Sequence, residues 1–403
     1  MQRRAAALVA LLVLCSVTTV AVAAGVTPAM ALTIEPQNGT VNQLEVPDGN
    51  VSTSERVLVD SDLSGALATD RERLRTTVGA GAFERAFEAS PNRTSRIETV
   101  QRTLDTIVIE SRQLRERRIE AVRTYNRGEY SVEELFRELA RISASASGIR
   151  ERVSTIETTV DQSGFSMPPD VAARLSSVEA EVVSLDGPLT ERIVRTIRAE
   201  RPAGRLSVRS GEDGVVMGAV DGETYLREAT VWAARTETGG NEFGADGTSP
   251  LVSVHERAQS VYPWAFENRV SSPSISGFGD SPIYPVSLNH AHGELETYFD
   301  GRTTDVFFEV HRLSLSSLPT TSVGAQRNGS LSMELDEANK WGLLAVSVTD
   351  VETDEPVPAT VTVGNETVGT TGSNGRLWML PVEEGETITA STDGNSVSIG
   401  IVG

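Results

Sequence analysis

The sequence predicts a multidomain α + β protein: an N-terminal antiparallel helical bundle with a long coiled-coil-like hairpin, a middle β-rich domain with a helical insert, and a C-terminal small β-sandwich. Three observations carry this. Apolar residues recur every three or four positions between about residues 54 and 202; the period falls towards two after the hinge "AERPAGRLSVRSG"; and short alternating runs between Gly, Asp and Pro turns fill the end of the chain. A chain of 403 residues has room for more than one core, since one core commonly serves roughly 100–200 residues. The divisions are 1–24, 25–53, 54–202, 203–337 and 338–403.

The first of these, opening "MQRRAAALVALLVLCSVTTVAVAA", joins Arg3 and Arg4 to an apolar run of about 20 residues with small-residue cleavage candidates before Ala24 and Leu32. It has the form of a signal peptide. If uncut, it is also long enough to serve as an N-terminal membrane anchor, and either form places the rest outside the cell. Cys15 is the only cysteine, so the exported part has no disulfide, no thiol nucleophile and no Cys-ligated zinc. Residues 25–53 are polar, with Pro, Gly and Asn and no sustained period, which predicts a flexible spacer.

Leu63, Leu67, Leu74, Val78, Phe83 and Phe87 suggest one or two helices with their apolar residues in a core. Ile97, Val100, Leu104, Ile107, Ser111, Leu114, Arg118, Ala121 and Tyr125 form a longer seam, in which Ser111 and Arg118 suggest partial access to water. "NRGEYS" stops that helix, and Ser131 with Glu134 makes a capping box for the next. Val132, Leu135, Leu139, Ile142, Ala146, Ile149, Val153, Ile156 and Val160 then repeat at strict 3-4 spacing. Two such seams joined by a short turn run antiparallel, giving a hairpin about 45 Å long. A further helix follows "MPPD", broken at "DGP".

Runs such as "GVVMGAVDGETYLREATVW" and "TDVFFEVHRLSL" read as strands, and "SVHERAQSVYPWAFEN" between them as a short helix whose Tyr262, Trp264 and Phe266 anchor a core or line a groove. All four histidines, His255, His290, His292 and His311, fall in this region. His290, His292 and Glu294 in "HAHGELE" are the candidate metal ligands, because imidazole and carboxylate within a few residues can reach one zinc if the chain curls. Strand parity favours a corner instead: Val286 and Leu288 are apolar at even positions, Leu295 and Phe299 at odd ones. "FDGR" then reads as a hairpin turn, with Asp300-Gly301 suited to positive φ. His311 shares a strand face with Phe307 and Glu309, and which face is the core stays open. No H-E-x-x-H, G-x-S-x-G, Walker A or dinucleotide fingerprint occurs, and no cofactor is implied.

In the last division Val346, Val348, Asp350, Pro356, Val357, Val361, Val363, Gly369, Thr371, Gly375, Arg376, Leu380 and Pro381 follow a rhythm that resembles the transthyretin-like or carboxypeptidase-regulatory-like β-sandwich. That resemblance implies a non-catalytic folding or adhesion module.

The net charge of −20 argues against nucleic acid or an anionic membrane as partner, leaving membrane contact to the N-terminal segment if uncleaved. The 36 basic residues are all arginine except Lys340. An acid excess with almost no lysine resembles the secreted proteins of haloarchaea that carry domains of unknown function; a GC-rich genome would give the same ratio. Asn38, Asn50, Asn92, Asn328 and Asn365 lie in glycosylation sequons. Together these features suggest an exported, non-enzymatic, envelope-associated protein with a structural or protein-binding role and a surface protein as partner. The alternatives are a metal-dependent hydrolase using His290 and His292, and a membrane-anchored ligand-binding ectodomain.

Overall fold

The computed structural model describes residues 34–35, 39–47, 49–338 and 341–401. The export segment, Cys15, Asn38, Lys340 and both cleavage candidates lie outside them. The described residues belong to one compact unit, Leu32–Gly403, of mixed α and β structure.

Within the stretch expected to be a spacer, the described residues are structured. β1 (Ile34–Glu35) and β2 (Gln43–Leu44) pair antiparallel, residues 40–44 are buried, and β3 (Ser52–Val59) pairs with β4 (Gly204–Ser210), the first strand after the helices. Val41, Leu44 and Val46 join the core of the middle region, and that burial offsets the entropy of ordering a segment whose composition reads as loop. The middle β-region, expected to begin at 203, therefore also takes in a strand from before the helices.

α1 (Leu63–Glu88) is one helix of 26 residues, started by Asp62, whose carboxylate accepts from the Ser64 and Gly65 amides. Its packing reverses the expectation. Phe83 and Phe87 are buried, but Leu63, Leu67, Leu74 and Val78 are exposed, and the face turned inward carries Gly65, Thr69 and Thr76. Small residues let α1 approach its neighbours closely: a Cβ on Gly65 would stand 2.8 Å from the Ile197 side chain, and one on Gly148 would collide with Thr76. Leu63, Leu67, Leu74 and Val78 are left on the outside.

α2 (Arg93–Asn126) and α3 (Val132–Gln162) bury the seams read from the sequence, from Val100 to Tyr125 and from Leu135 to Val160, and α3 begins at the expected Ser131–Glu134 capping box. α3 packs against α1, α2 and α5 (Pro188–Ile197). α4 (Pro169–Val182) and a 3-10 turn precede α5, and the break falls at Gly187–Pro188. Ser111 and Arg118 correct the sequence reading: both are buried, not water-facing.

After β4 come β5 (Gly214–Asp221), β6 (Thr224–Val231), α6 (Pro250–Val261), α7 (Pro263–Glu267), β7 (Ser274–Ile275), β8 (Ile283–His290), β9 (Gly293–Asp300) and β10 (Val306–Ser314). Eight strands make one antiparallel sheet in the order β3-β4-β5-β6-β10-β9-β8-β7. Leu206, Val208, Val215, Met217 and Ala219 pack with α2, α3 and α5 on one face. The other face is covered by Val41–Val46, Tyr262, Phe266 and Trp341. Both faces of β10 are therefore core. The β9–β10 hairpin forms where expected, but its left-handed residue is Thr304 at φ 61° and not Gly301.

β11 (Thr320–Asn328), β12 (Leu331–Ala338), β13 (Leu343–Asp350), β14 (Thr360–Val363), β15 (Glu366–Thr370), β16 (Arg376–Met379), β17 (Thr387–Ser391) and β18 (Ser396–Gly400) form two four-stranded antiparallel sheets, β11-β12-β13-β16 and β15-β14-β17-β18. Their shared core includes Met333, Val346, Val361 and Ile388. The C-terminal domain thus starts near 320 and not at 338. Alternation alone could not show this; the ladder Leu331↔Asp350 does. Trp341, Leu343, Trp378 and Leu380 enter the core of the middle region, and Arg56 binds the Pro381 carbonyl at 2.9 Å and both Glu386 oxygens.

Candidate functional site

The "HAHG" segment closes a tight hairpin, with His290 paired to Gly293 across Ala291 and His292. The corner expected from parity is real and goes further, into a full reversal. Gly293 is required there: its φ is +144°, and a Cβ would lie 2.0 Å from the Arg312 carbonyl oxygen.

Parity also separates the candidate ligands. Residues paired across a ladder share a face, so His290 lies with Gly293 on one side, and Glu294 points to the other, where it meets Arg312 at 3.2 Å. The His290 Nδ1 accepts the His292 backbone N–H at 3.2 Å, which leaves the proton of a neutral ring on Nε2. That buried Nε2 has no hydrogen-bond partner, and in this tautomer it offers no lone pair to a metal. Burial first, and then His311 and His292, hold the His290 pKa down to about 3. His292 stacks on Trp264 with centroids 4.8 Å apart, and burial lowers its pKa too. Among the described residues no group of three or more His, Cys, Asp or Glu could hold a metal; His290, His292 and Glu294 do not converge.

What the fold gathers beside this hairpin is a buried ionic network that the sequence reading only grazed. Glu309 is wholly buried. Its carboxylate accepts from the Leu44 amide at 2.8 Å, Arg227 Nη1 at 3.1 Å, His311 Nε2 at 2.8 Å and the Tyr262 hydroxyl. Burial by itself would raise the Glu309 pKa, but His311, Arg227 and Tyr262 outweigh it and hold the group ionised. Burial and then Glu309 push the Tyr262 hydroxyl well up, so it stays a donor. Arg227 continues to the Leu44 carbonyl at 2.6 Å and to Glu45 at 2.7 Å. β2 is thus bound to the sheet through side chains where ladder bonds are missing. Trp341 closes the site from the C-terminal domain, edge-on to His311 at 5.3 Å.

The opposite face holds a second network one residue away. Glu228 accepts from the Leu189 amide at 3.0 Å and from the Thr190 hydroxyl at 3.0 Å, so it caps α5 from another element. Arg118 reaches Glu228 at 3.3 Å, Thr230 at 3.1 Å and the Ser184 carbonyl. Desolvation lowers the Arg118 pKa, with Glu228 opposing it. Gly187 makes the approach possible, since a Cβ would stand 2.3 Å from a Glu228 oxygen.

Sequence reasoning placed His311 and Glu309 on one face but missed Arg227, Glu228 and Tyr262 as partners. The available signal was the charged pair inside the apolar run "YLREATVW". Tyr262 and Phe266 are core anchors, and His255 packs edge-on to Phe266. A cavity of about 310 Å³ between α2 and α4 is lined by Arg112, Arg115, Arg174 and Arg235; of these, Arg115 and Arg235 pair with Glu181, and Arg174 with Asp105. Of the sequon asparagines, Asn50, Asn92, Asn328 and Asn365 are exposed. Asn92 caps α2 through the Ser95 amide, and the Asn328 side-chain amide donates to the Ser396 carbonyl.

Three family models match the chain: a domain of unknown function, DUF7096, over residues 1–202; a family of unknown function, DUF7094, over 206–319; and the archaeal fibronectin-III type-like domain over 322–399. No curated protein and no solved structure matches it. The third match keeps the expected terminal β-sandwich and gives it a fibronectin-III type-like family in place of a transthyretin-like one. Its start agrees with the ladder that places β11 and β12 in that domain.

Proposed function

The chain belongs to the DUF7096 family, matched over residues 1–202 of 403, and from that premise we propose that it is an exported, envelope-associated protein of a halophilic archaeon that binds another surface protein and carries out no catalysis. The observation that carries this reading is the fibronectin-III type-like sandwich, seated by Trp341 and Arg56 against a sheet in which the buried Glu309, Arg227 and His311 bind one another. A docked sandwich holds its exposed surface in a fixed orientation, which lowers the entropic cost of binding. The helical hairpin over 93–162 serves as the spacer or a second contact surface. The acid excess and the arginine-for-lysine usage support a salt-rich setting, where charge is screened within about 3 Å at 1 M. Among the described residues no helix is long and apolar enough to cross a membrane, which leaves any anchoring to the N-terminal segment.

Cell fractionation with N-terminal sequencing tests the location. Chain outside the membrane beginning near Ala24 or Leu32 is expected; cytosolic chain with Met1 intact contradicts it. Elemental analysis tests the metal-dependent alternative, because stoichiometric metal lost in His290→Ala and His292→Ala would favour a hydrolase. Cross-linking on intact cells should capture a discrete envelope partner.

A further inference from the structure

The cavity between α2 and α4 inverts the charge balance of the chain. Over the whole sequence 56 acidic residues outnumber 36 basic ones. Around this volume of about 310 Å³ stand five arginines, Arg112, Arg115, Arg174, Arg235 and Arg302, against two carboxylates, Glu181 and Glu237. Helix spacing gathers them: the lining positions 108, 111, 112 and 115 of α2 and 174, 177, 178 and 181 of α4 each step i, i+3, i+4, i+7, so each set shares one face. Ser111 and Ser177 are the small residues of these faces, and their hydroxyls turn back to the Val108 and Ala173 carbonyls of their own helices. Arg235 comes from the segment after β6, and Arg302 from the turn between β9 and β10.

The guanidiniums outnumber their partners. Arg115 and Arg235 share one carboxylate, Glu181, at 3.0 and 2.9 Å, and Arg174 pairs with Asp105. The Arg302 guanidinium reaches the Thr236 carbonyl at 3.4 Å. Among the described residues neither Arg302 nor the exposed Arg112 has a carboxylate partner. Burial lowers the Arg115 pKa, Glu181 opposes that, and Arg235 and Arg112 add to it, as like charges drawn together must. The Arg235 side chain is 9% exposed, and its Nε has no hydrogen-bond partner, which is costly for a buried donor.

Glu237 indicates the class of anion that suits the site. It is 60% exposed, and its carboxylate lies on Arg115, so the chain itself seats a carboxylate at the solvent side of the cavity. Val108 and Val178 supply apolar wall, which fits a short carbon chain better than a bare inorganic ion. The volume falls at the small end of the roughly 300–1,000 Å³ typical of small-molecule sites.

We propose that this cavity binds a small di- or tricarboxylate. Arg112 and Arg302 take its oxygens through their planar forks, and Arg115 exchanges Glu237 for the ligand. The net charge of −20 repels anions at long range, so affinity comes from these contacts and not from the field of the whole protein. The inference goes beyond the proposed function and does not rest on it.

The test is calorimetric titration of the full chain with succinate, citrate and inorganic phosphate in sodium chloride buffer. Succinate or citrate should bind at a single site, more tightly than phosphate, and raise the melting temperature. Arg112→Gln and Arg302→Gln should each raise Kd about tenfold, as the loss of one charge-assisted contact requires. Ser177→Leu should block binding by filling the cavity with every charge kept, and Glu237→Gln, which removes the internal competitor, should lower Kd severalfold. Arg112 and Glu237 are exposed, so without ligand those two variants should melt as the parent does, which separates lost binding from lost fold. Arg75→Gln, at an exposed arginine elsewhere, should leave Kd unchanged. No binding of either carboxylate, phosphate binding tighter than both, or a Kd indifferent to Arg112→Gln, Arg302→Gln and Ser177→Leu would overturn the proposal.

Discussion

The two faces of the central sheet solve one problem in different ways. Arg227 and Glu228 are neighbours on β6, and strand alternation sends a cation to one face and a carboxylate to the other. On the first face Glu309 collects an arginine, a histidine, a tyrosine and the Leu44 amide, and the result fastens an N-terminal segment and meets Trp341 of the C-terminal domain. On the second, Glu228 has a single arginine and the start of α5. One network spreads its charge over several donors, includes His311 and lies beside His290; the other depends on one guanidinium and contains no histidine. The first should therefore be more tolerant of losing a partner and more sensitive to acid.

The largest expected effect breaks the single-cation face. Arg118→Met leaves Glu228 buried without a cation and should cost about 3–5 kcal/mol in urea unfolding. Arg227→Met leaves Glu309 with His311, Tyr262 and the Leu44 amide, and should cost less, about 2–3 kcal/mol. Equal losses would erase the distinction between the faces.

Acid should separate the faces next. His290, beside the first network, is held neutral with a pKa of about 3 against 6.5 for a free ring. The unfolded chain thus binds the extra proton as pH falls through 6.5, and the stability present above that value is lost progressively down to about 3. Between pH 7.5 and pH 5 the loss from this group should be about 2 kcal/mol, and His290→Gln should flatten that slope in thermal melts across pH. An unchanged slope would mean that the ring protonates freely in the folded protein.

The smallest expected effect tests the close approach at α5. Gly187→Ala places a methyl against Glu228 and should cost about 1–2 kcal/mol, whereas an alanine at Gly222, where no atom lies within 4 Å but φ is +60°, should register backbone strain alone, about 1 kcal/mol.

Much of the fold was legible because its periods are long. The seams of α2 and α3, the Ser131–Glu134 box and the break at Gly187–Pro188 follow from local rules that tertiary contacts did not override. A corner at "HAHG" was visible in parity alone, but not that it closes a full hairpin. What could not be read was set by partners far away in sequence: β2 is ordered by Glu309 and Arg227, more than 180 positions on, and β12 belongs to the sandwich because it pairs with β13. The apolar pattern of α1 said that the helix had a sticky face without saying where it pointed, since the inward face was chosen by the small residues Gly65, Thr69 and Thr76. At the candidate site the histidines drew attention for their chemistry, while the charges that organise it were single letters inside apolar strands.

The buried network fastens the N-terminal segment to the sheet, and amide hydrogen exchange at residues 40–46 tests that most directly. In the native chain the Leu44 amide, bonded to Glu309, should exchange as slowly as the sheet, and in Arg227→Met residues 40–46 should lose protection while α2 and α3 keep theirs. Protection of 40–46 that survives Arg227→Met unchanged, or is absent in the native chain, would contradict it.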